Sequence, residues 1–272
     1  MNKGYDILVV EDEPVVLAAI KKIVEPENLR VDDAVDVESA LEKMKNFHYS
    51  LVISDLMLPK ISGNDLVLAI KIKHPHVPVI VITGYATLEN ALQSFKVGSF
   101  DFIAKPFDTE AFLGVVRRGI NYGKKLQRKD QVQHVCIPTT NPARRDERLC
   151  DLFCLGHHAW IRIDEDGTGL IGAGETFPGL IEDLDRVEFL PDADQIVQGK
   201  CCARFITRGG LVNMFWAPLS GTIITTNREL EQNIQLIDSD PYARGWLIRI
   251  IPSNVDDELR HLTCCIKKRE NP

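Results

Sequence analysis

Long hydrophobic runs are missing from this 272-residue chain. No apolar stretch approaches the ~20 residues that a bilayer-crossing helix needs, which excludes a helical membrane protein. The amino-terminal segment has one lysine and a short apolar run that stops at Glu11-Asp12-Glu13, which is not the pattern of a secretory signal. No membrane association and a cytoplasmic location are therefore expected. Basic charge is in deficit: a net charge of -7 argues against a nucleic-acid footprint over the whole surface, although it leaves room for a local basic patch. Cysteine is odd in number, seven in all, and in a reducing compartment no structural disulfide framework is expected. What remains is ordinary for a globular protein, with 44% hydrophobic and 26% charged residues in a length sufficient for two domains.

Four short apolar runs end at polar side chains. Ile7-Leu8-Val9-Val10 runs into Glu11-Asp12, Leu51-Val52-Ile53-Ser54 into Asp55, Val79-Ile80-Val81-Ile82 into Thr83, and Phe102-Ile103-Ala104 into Lys105. Runs of Val, Ile and Leu without alternation suit parallel strands covered on both faces, and helical patterns lie between them. In such a doubly wound α/β sheet the carboxyl ends of the strands share one edge, where ligands bind. Glu11, Asp12, Asp55, Thr83 and Lys105 are therefore expected to converge. Carboxylates so close raise one another's pKa unless a cation sits among them, and a hard divalent ion such as Mg²⁺ takes oxygen ligands. One carboxylate can then act as a nucleophile toward a phosphoryl group, with a lysine and a hydroxyl neutralising its oxygens.

These motifs, together with Asp55-Leu56-Met57-Leu58-Pro59, Thr83-Gly84 and Phe102-Ile103-Ala104-Lys105-Pro106-Phe107, resemble the response-regulator receiver domain of two-component signalling. The resemblance implies a flavodoxin-like five-stranded parallel sheet and a sensor histidine kinase as partner. It implies that Asp55 is phosphorylated, that Asp12, Asp55 and the Met57 carbonyl bind Mg²⁺, and that Glu11 holds a metal water. It further implies that Thr83 and Lys105 bind the phosphoryl oxygens, that Phe102 is the switch aromatic, and that Lys105-Pro106 is a cis peptide. Glu11 is longer than the aspartate often found there, which retunes metal affinity. Pairing of two receiver domains is a further implied contact.

Helices are expected after Pro14, with Val15, Val16, Ala19, Ile20 and Ile23 as the apolar stripe, from Asp36, from about Asn64 to Lys73, from about Thr87 to Val97, and after Asp108. His74-Pro75-His76 has metal-like spacing but reads as a solvent-facing loop. The first domain is assigned to residues 1-124 and a basic linker, with Lys124-Lys125 and Arg144-Arg145, to 125-149. No helix-turn-helix pattern follows.

From residue 150 to 272 the pattern becomes short strands and turns, expected at His158 to Ile163, Thr168 to Ile171, Val187 to Leu190, Ala203 to Thr207, Leu211 to Trp216, Thr222 to Thr226 and Trp246 to Ile251. They point to a compact, mainly β barrel or sandwich, closed by a helix from about Asn254 to Lys268 with Val255, Leu259, Leu262 and Ile266 on one face. The segments His158-Ala159-Trp160-Ile161-Arg162, Val187-Glu188-Phe189-Leu190-Pro191, Pro218-Leu219-Ser220-Gly221 and Asp240-Pro241-Tyr242-Ala243-Arg244-Gly245-Trp246 resemble the glycine-cleavage-system H protein, a lipoyl carrier. Counted back from Pro218, the family's modified lysine falls on Gly210. Arg208 is no substitute, because a guanidinium is not acylated as an amine is, and Lys200, Lys267 and Lys268 lie elsewhere. The domain is expected to carry no lipoate and to serve recognition of a protein partner.

Cys150, Cys154, His157 and His158, with the pairs Cys201-Cys202 and Cys264-Cys265, offer thiols for metal or redox chemistry, but not in the spacing of a known zinc site. The expected function is that of a non-enzymatic phosphorelay response regulator with a carrier-like output. The alternatives are a DNA-binding transcriptional regulator acting through the basic linker and a redox or metal-sensing component.

Overall fold

A computed structural model describes residues 5–128, 152–174, 177–190 and 194–264. The chain divides into two compact units, Met1–Gln133 and His134–Pro272. Among the described residues no helix is long and apolar enough to cross a membrane.

The first unit alternates strand and helix: β1 (Ile7–Val10), α1 (Pro14–Val24), β2 (Val31–Ala34), α2 (Val37–Asn46), β3 (Leu51–Asp55), α3 (Gly63–Lys73), β4 (Val79–Thr83), α4 (Leu88–Lys96), β5 (Asp101–Ala104) and α5 (Thr109–Arg128). The strands pair in parallel in the order β2-β1-β3-β4-β5. Every residue of β1, β3 and β4 is buried, as their unbroken apolar runs require. Burying each such side chain contributes about 1.5–3 kcal/mol.

Local chemistry sets where the helices start. Pro14 opens α1, Asp36 and Ser39 form a capping box on α2, and Ser62 and Thr87 cap α3 and α4. Asp108 Oδ1 accepts the N–H groups of Glu110 and Ala111 at the head of α5. The expected stripe on α1 is corrected: Val15 is 80% exposed and Ala19 is exposed, whereas Ile20 and Val24 are buried. Packing of α1 onto the sheet chose a face rotated from the one that the spacing suggested. His74 and His76 lie in the loop after α3, as expected.

The second unit is antiparallel. β6 (Phe153–Leu155), β7 (Ala159–Ile163), β8 (Gly169–Ala173), β10 (Gln195–Ile196), β13 (Gly221–Thr226), β14 (Trp246–Pro252) and β15 (Thr263–Cys264) form a seven-stranded sheet in the order β10-β13-β14-β8-β7-β6-β15. β9 (Leu184–Phe189), β11 (Cys201–Thr207) and β12 (Val212–Trp216) form a second sheet in the order β12-β11-β9. Between them Phe177, Phe205 and Phe215 pack with ring centroids 5.0–5.7 Å apart, and His158 packs on Phe177 and Phe215. Short helices lie at α6 (Leu236–Ser239) and α7 (Val255–Glu258).

The expected closing helix from Asn254 to Lys268 is corrected. α7 lasts one turn, a 3-10 turn follows at Leu259–His261, and β15 then pairs with β6, while residues 265–268 lie outside the described set. Tertiary bonds override the helical periodicity. Glu258 accepts from the Ser220 N–H and Oγ, both at 2.6 Å, and His261 Nδ1 lies 2.8 Å from Gln198 Oε1.

Candidate functional site

The carboxyl ends of β1, β3, β4 and β5 reach the same edge of the parallel sheet, and four of the five expected side chains meet there in one cluster. One carboxylate oxygen from each of Glu11, Asp12 and Asp55 lies within 4.8 Å of the others. Lys105 Nζ sits among them, 2.6 Å from Asp55 Oδ2 and 2.8 Å from Glu11 Oε2. Asp55 Oδ1 accepts the Met57 N–H at 2.9 Å, so both oxygens of this buried carboxylate are held. The chain can turn away at this point because Gly63 lies hard against it: a Cβ there would fall 2.1 Å from the Asp55 carbonyl oxygen.

Thr83 is fully buried at the end of β4, with its Oγ1 accepting the Tyr85 N–H at 3.1 Å. Its carbonyl accepts the Lys105 N–H at 2.8 Å, which ties the two strand ends together, and Lys105-Pro106 is cis. Phe102, on β5 beside Val81, is 4% exposed.

Electrostatics explain the lysine's position. Burial works against its ammonium, but hydrogen bonds to Asp55 and Glu11 and their charges outweigh this and hold its pKa above the ordinary value. Burial, joined by the neighbouring Asp55 charge, pushes the Glu11 carboxyl up despite Lys105. The donors are all hard carboxylate oxygens converging on one point, which fits a hard divalent cation. Glu13 was not among the expected site residues, yet its Oε1 lies 3.7 Å from Lys105 Nζ. The signal was present in the unbroken acidic run Glu11-Asp12-Glu13.

In the second unit Gly210 lies in the turn between β11 and β12. Thr207 N–H donates to the Leu211 carbonyl at 3.0 Å and Gly210 N–H to the Thr207 carbonyl at 2.9 Å. Gly210 has φ +84°, and a Cβ there would meet nothing within 4 Å. Lys200 precedes β11, at the end of the hairpin opposite this tip, and Lys267 and Lys268 lie outside the described residues.

A family model of the response regulator receiver domain matches residues 7–117, and one of the glycine cleavage H-protein matches residues 152–269. The glycine cleavage system H protein of Psychrobacter cryohalolentis is 32% identical over 107 residues, which cover 39% of this chain and 84% of that protein. The chain joins a response regulator receiver domain to a glycine cleavage H-protein domain. The receiver domain is homologous to the nitrogen assimilation regulatory protein NtrX of Azorhizobium caulinodans, 30% identical over 52% of this chain and 32% of that protein. It is likewise homologous to the response regulator PilR of Pseudomonas aeruginosa, 38% identical over 37% of this chain and 23% of that protein. The chain thus spans about a third or less of the length of these two regulators.

Among the described residues the thiols of the H-protein domain form no group that could share an ion. Among the described residues the carboxylates around Asp55 are the one group of three or more acidic, histidine or cysteine side chains close enough to share an ion. His158 is buried, with Nε2 2.9 Å from the Met214 carbonyl. Cys201 Sγ lies 3.4 Å from Met214 Sδ, and burial raises the Cys202 pKa. Cys154 and Cys264 are each disulfide-bonded, contrary to the expectation that no structural disulfide forms. They lie on β6 and β15, where Cys154 stands opposite Thr263 and Cys264 opposite Phe153. Cys150, Cys265 and Arg144-Arg145 lie outside the described residues.

Proposed function

We propose that this chain is a two-component response regulator in which Asp55 accepts a phosphoryl group from a sensor histidine kinase, with Mg²⁺ held by Asp12, Asp55 and the Met57 carbonyl and, through a water, by Glu11. The observation that carries the reading is the convergence of Glu11, Asp12, Asp55 and Lys105, from three separate strands, on one point. In the transfer an Asp55 oxygen attacks phosphorus, the P–N bond of a phosphohistidine breaks, and its electron pair leaves with the imidazole. Mg²⁺ supplies positive charge to the phosphoryl oxygens. Lys105 and Thr83 donate hydrogen bonds to them, and Phe102 is the side chain whose packing answers the change.

The H-protein domain then acts as a recognition module for a protein partner rather than as a carrier. Fold alone does not confer the carrier's chemistry, and the hairpin tip offers no amine. Residues 125-149 link the two domains, and the receiver domain offers the surface for a homodimer. The protein is cytoplasmic and catalyses only its own phosphorylation and dephosphorylation.

Incubation of the full chain with acetyl phosphate and Mg²⁺ tests the phosphoacceptor: one phosphate is expected on the wild type and none on Asp55→Asn. Labelling of the Asp55→Asn chain to the same extent would overturn the assignment. Intact-mass measurement of protein from lipoate-replete cells is expected to show no lipoyl adduct. A pull-down with phosphorylated and unphosphorylated chain should differ in the partner retained.

A further inference from the structure

The Thr83 hydroxyl is fully buried and accepts the Tyr85 N–H, but its own proton has no acceptor among the described residues. A buried hydroxyl that accepts one bond and has its proton unspent is suited to donate to an incoming acceptor, and the bond it accepts fixes the oxygen's lone pair. Tyr85 is the group in contact with it, and Tyr85 is itself gripped from α4. Its carbonyl accepts the Thr87 N–H at 2.9 Å and the Asn90 side-chain amide nitrogen, Nδ2, at 2.8 Å. A carbonyl can only accept, so the Asn90 amide must present its nitrogen there. The backbone N–H of Asn90 is bonded in turn to Thr87 Oγ1 at 3.2 Å, which anchors the residue to the helix cap.

We infer that Asn90 is a positioning residue for phosphoryl chemistry at Asp55: through the Tyr85 backbone it keeps the Thr83 hydroxyl aligned as a donor to a phosphoryl oxygen. The inference rests on the phosphoacceptor reading above. Donation from Tyr85 into Thr83 Oγ1 polarises the Thr83 O–H, and a donor fixed before the reaction needs no reorganisation during it.

A merely structural role for Asn90 predicts something different. It occupies the third position of α4, where an aspartate interacts better with the helix dipole than an asparagine does. Asn90→Asp keeps the side chain's shape and favours the helix, but it removes the donor to the Tyr85 carbonyl. The two roles therefore predict opposite outcomes for one substitution.

The test measures the rate of Asp55 phosphorylation of the full chain by acetyl phosphate at saturating Mg²⁺. Asn90→Ala and Asn90→Asp are both expected to slow it about threefold to tenfold, the worth of one aligned hydrogen bond. In a Thr83→Ala background neither should slow it further. An Asn90→Asp chain that reacts as fast as wild type, or a full additional loss on top of Thr83→Ala, overturns the inference. If the wild-type chain itself takes up no phosphate, it is the phosphoacceptor reading that fails, and that result is distinct from a labelled wild type with unaffected Asn90 variants.

Discussion

Lys105 Nζ lies 2.6 Å from Asp55 Oδ2 and bridges it to Glu11, so the ammonium fills the role of a cation between two buried carboxylates. Removing it leaves those charges facing one another, and a broken buried pair costs about 3–5 kcal/mol, less here because water reaches the edge. Lys105→Met is expected to lower the stability of the metal-free receiver domain by about 1–3 kcal/mol. It should also bind Mg²⁺ more tightly, because no ammonium competes for the same oxygens. Calorimetric Mg²⁺ titration of both chains checks this, and weaker binding by the variant would contradict it.

Tyr85 is 67% exposed beside the buried Thr83 hydroxyl. A ring two positions past Thr83 is expected to shield an acyl phosphate on Asp55 from water. The phosphorylated Tyr85→Ala chain should lose phosphate faster than wild type. An unchanged lifetime in a phosphate-release assay would dispose of the shielding role.

Asp32 gives a pH signature to the receiver fold. Its carboxylate accepts from Lys43 Nζ at 2.6 Å, the Tyr49 hydroxyl at 2.7 Å and the Asp33 N–H at 2.9 Å. Burial opposes its ionised form, but these bonds prevail and hold its pKa below the ordinary aspartate value. A lowered acid pKa contributes stability that is present above the unfolded value and is lost as pH falls through the folded one. Asp32→Asn is therefore expected to destabilise the domain by about 1–2 kcal/mol at pH 7, with the difference shrinking below pH 3.8. Amide exchange in β1 and β3 across that range measures it, and a gap that widens on acidification would refute the assignment.

Gly172 lies against the indole of Trp160, which is wholly buried. A Cβ at residue 172 would fall 2.3 Å from the ring, and Tyr242 packs on that indole with a centroid distance of 5.5 Å, leaving it little room to move. Gly172→Ala should destabilise the H-protein domain by about 1–3 kcal/mol or more. Trp160, Trp216 and Trp246 are the chain's three tryptophans, so fluorescence-detected melting reports on this domain alone. A melting temperature equal to wild type would show that the strand shifts freely.

Much of the receiver site was legible because parallel strands advertise themselves. Each unbroken apolar run ended at the polar residue that now stands at the sheet edge, and a doubly wound fold has one edge on which to collect them. Glu13 was passed over because an exposed third acid in a run looks like solvated charge. Asn90 carried no motif, since its partner five residues upstream is a main-chain carbonyl, which every residue has and no residue type marks. The one-turn α7 was misread because Val255, Leu259 and Leu262 keep helical spacing although Glu258 and His261 are bonded elsewhere.

Residue order alone was enough to indicate two domains, a set of polar residues at the ends of the parallel strands, and the lack of an amine at residue 210. These depend on which side chains exist and on periodicities of two or 3.6 residues. Assembly of the folded chain was needed to bring Lys105 onto Asp55 across 50 positions, to turn residues after Glu258 into an edge strand, and to place Cys154 and Cys264 on neighbouring strands. Such contacts are won by burial and hydrogen bonding between segments distant along the chain, and no local pattern encodes them.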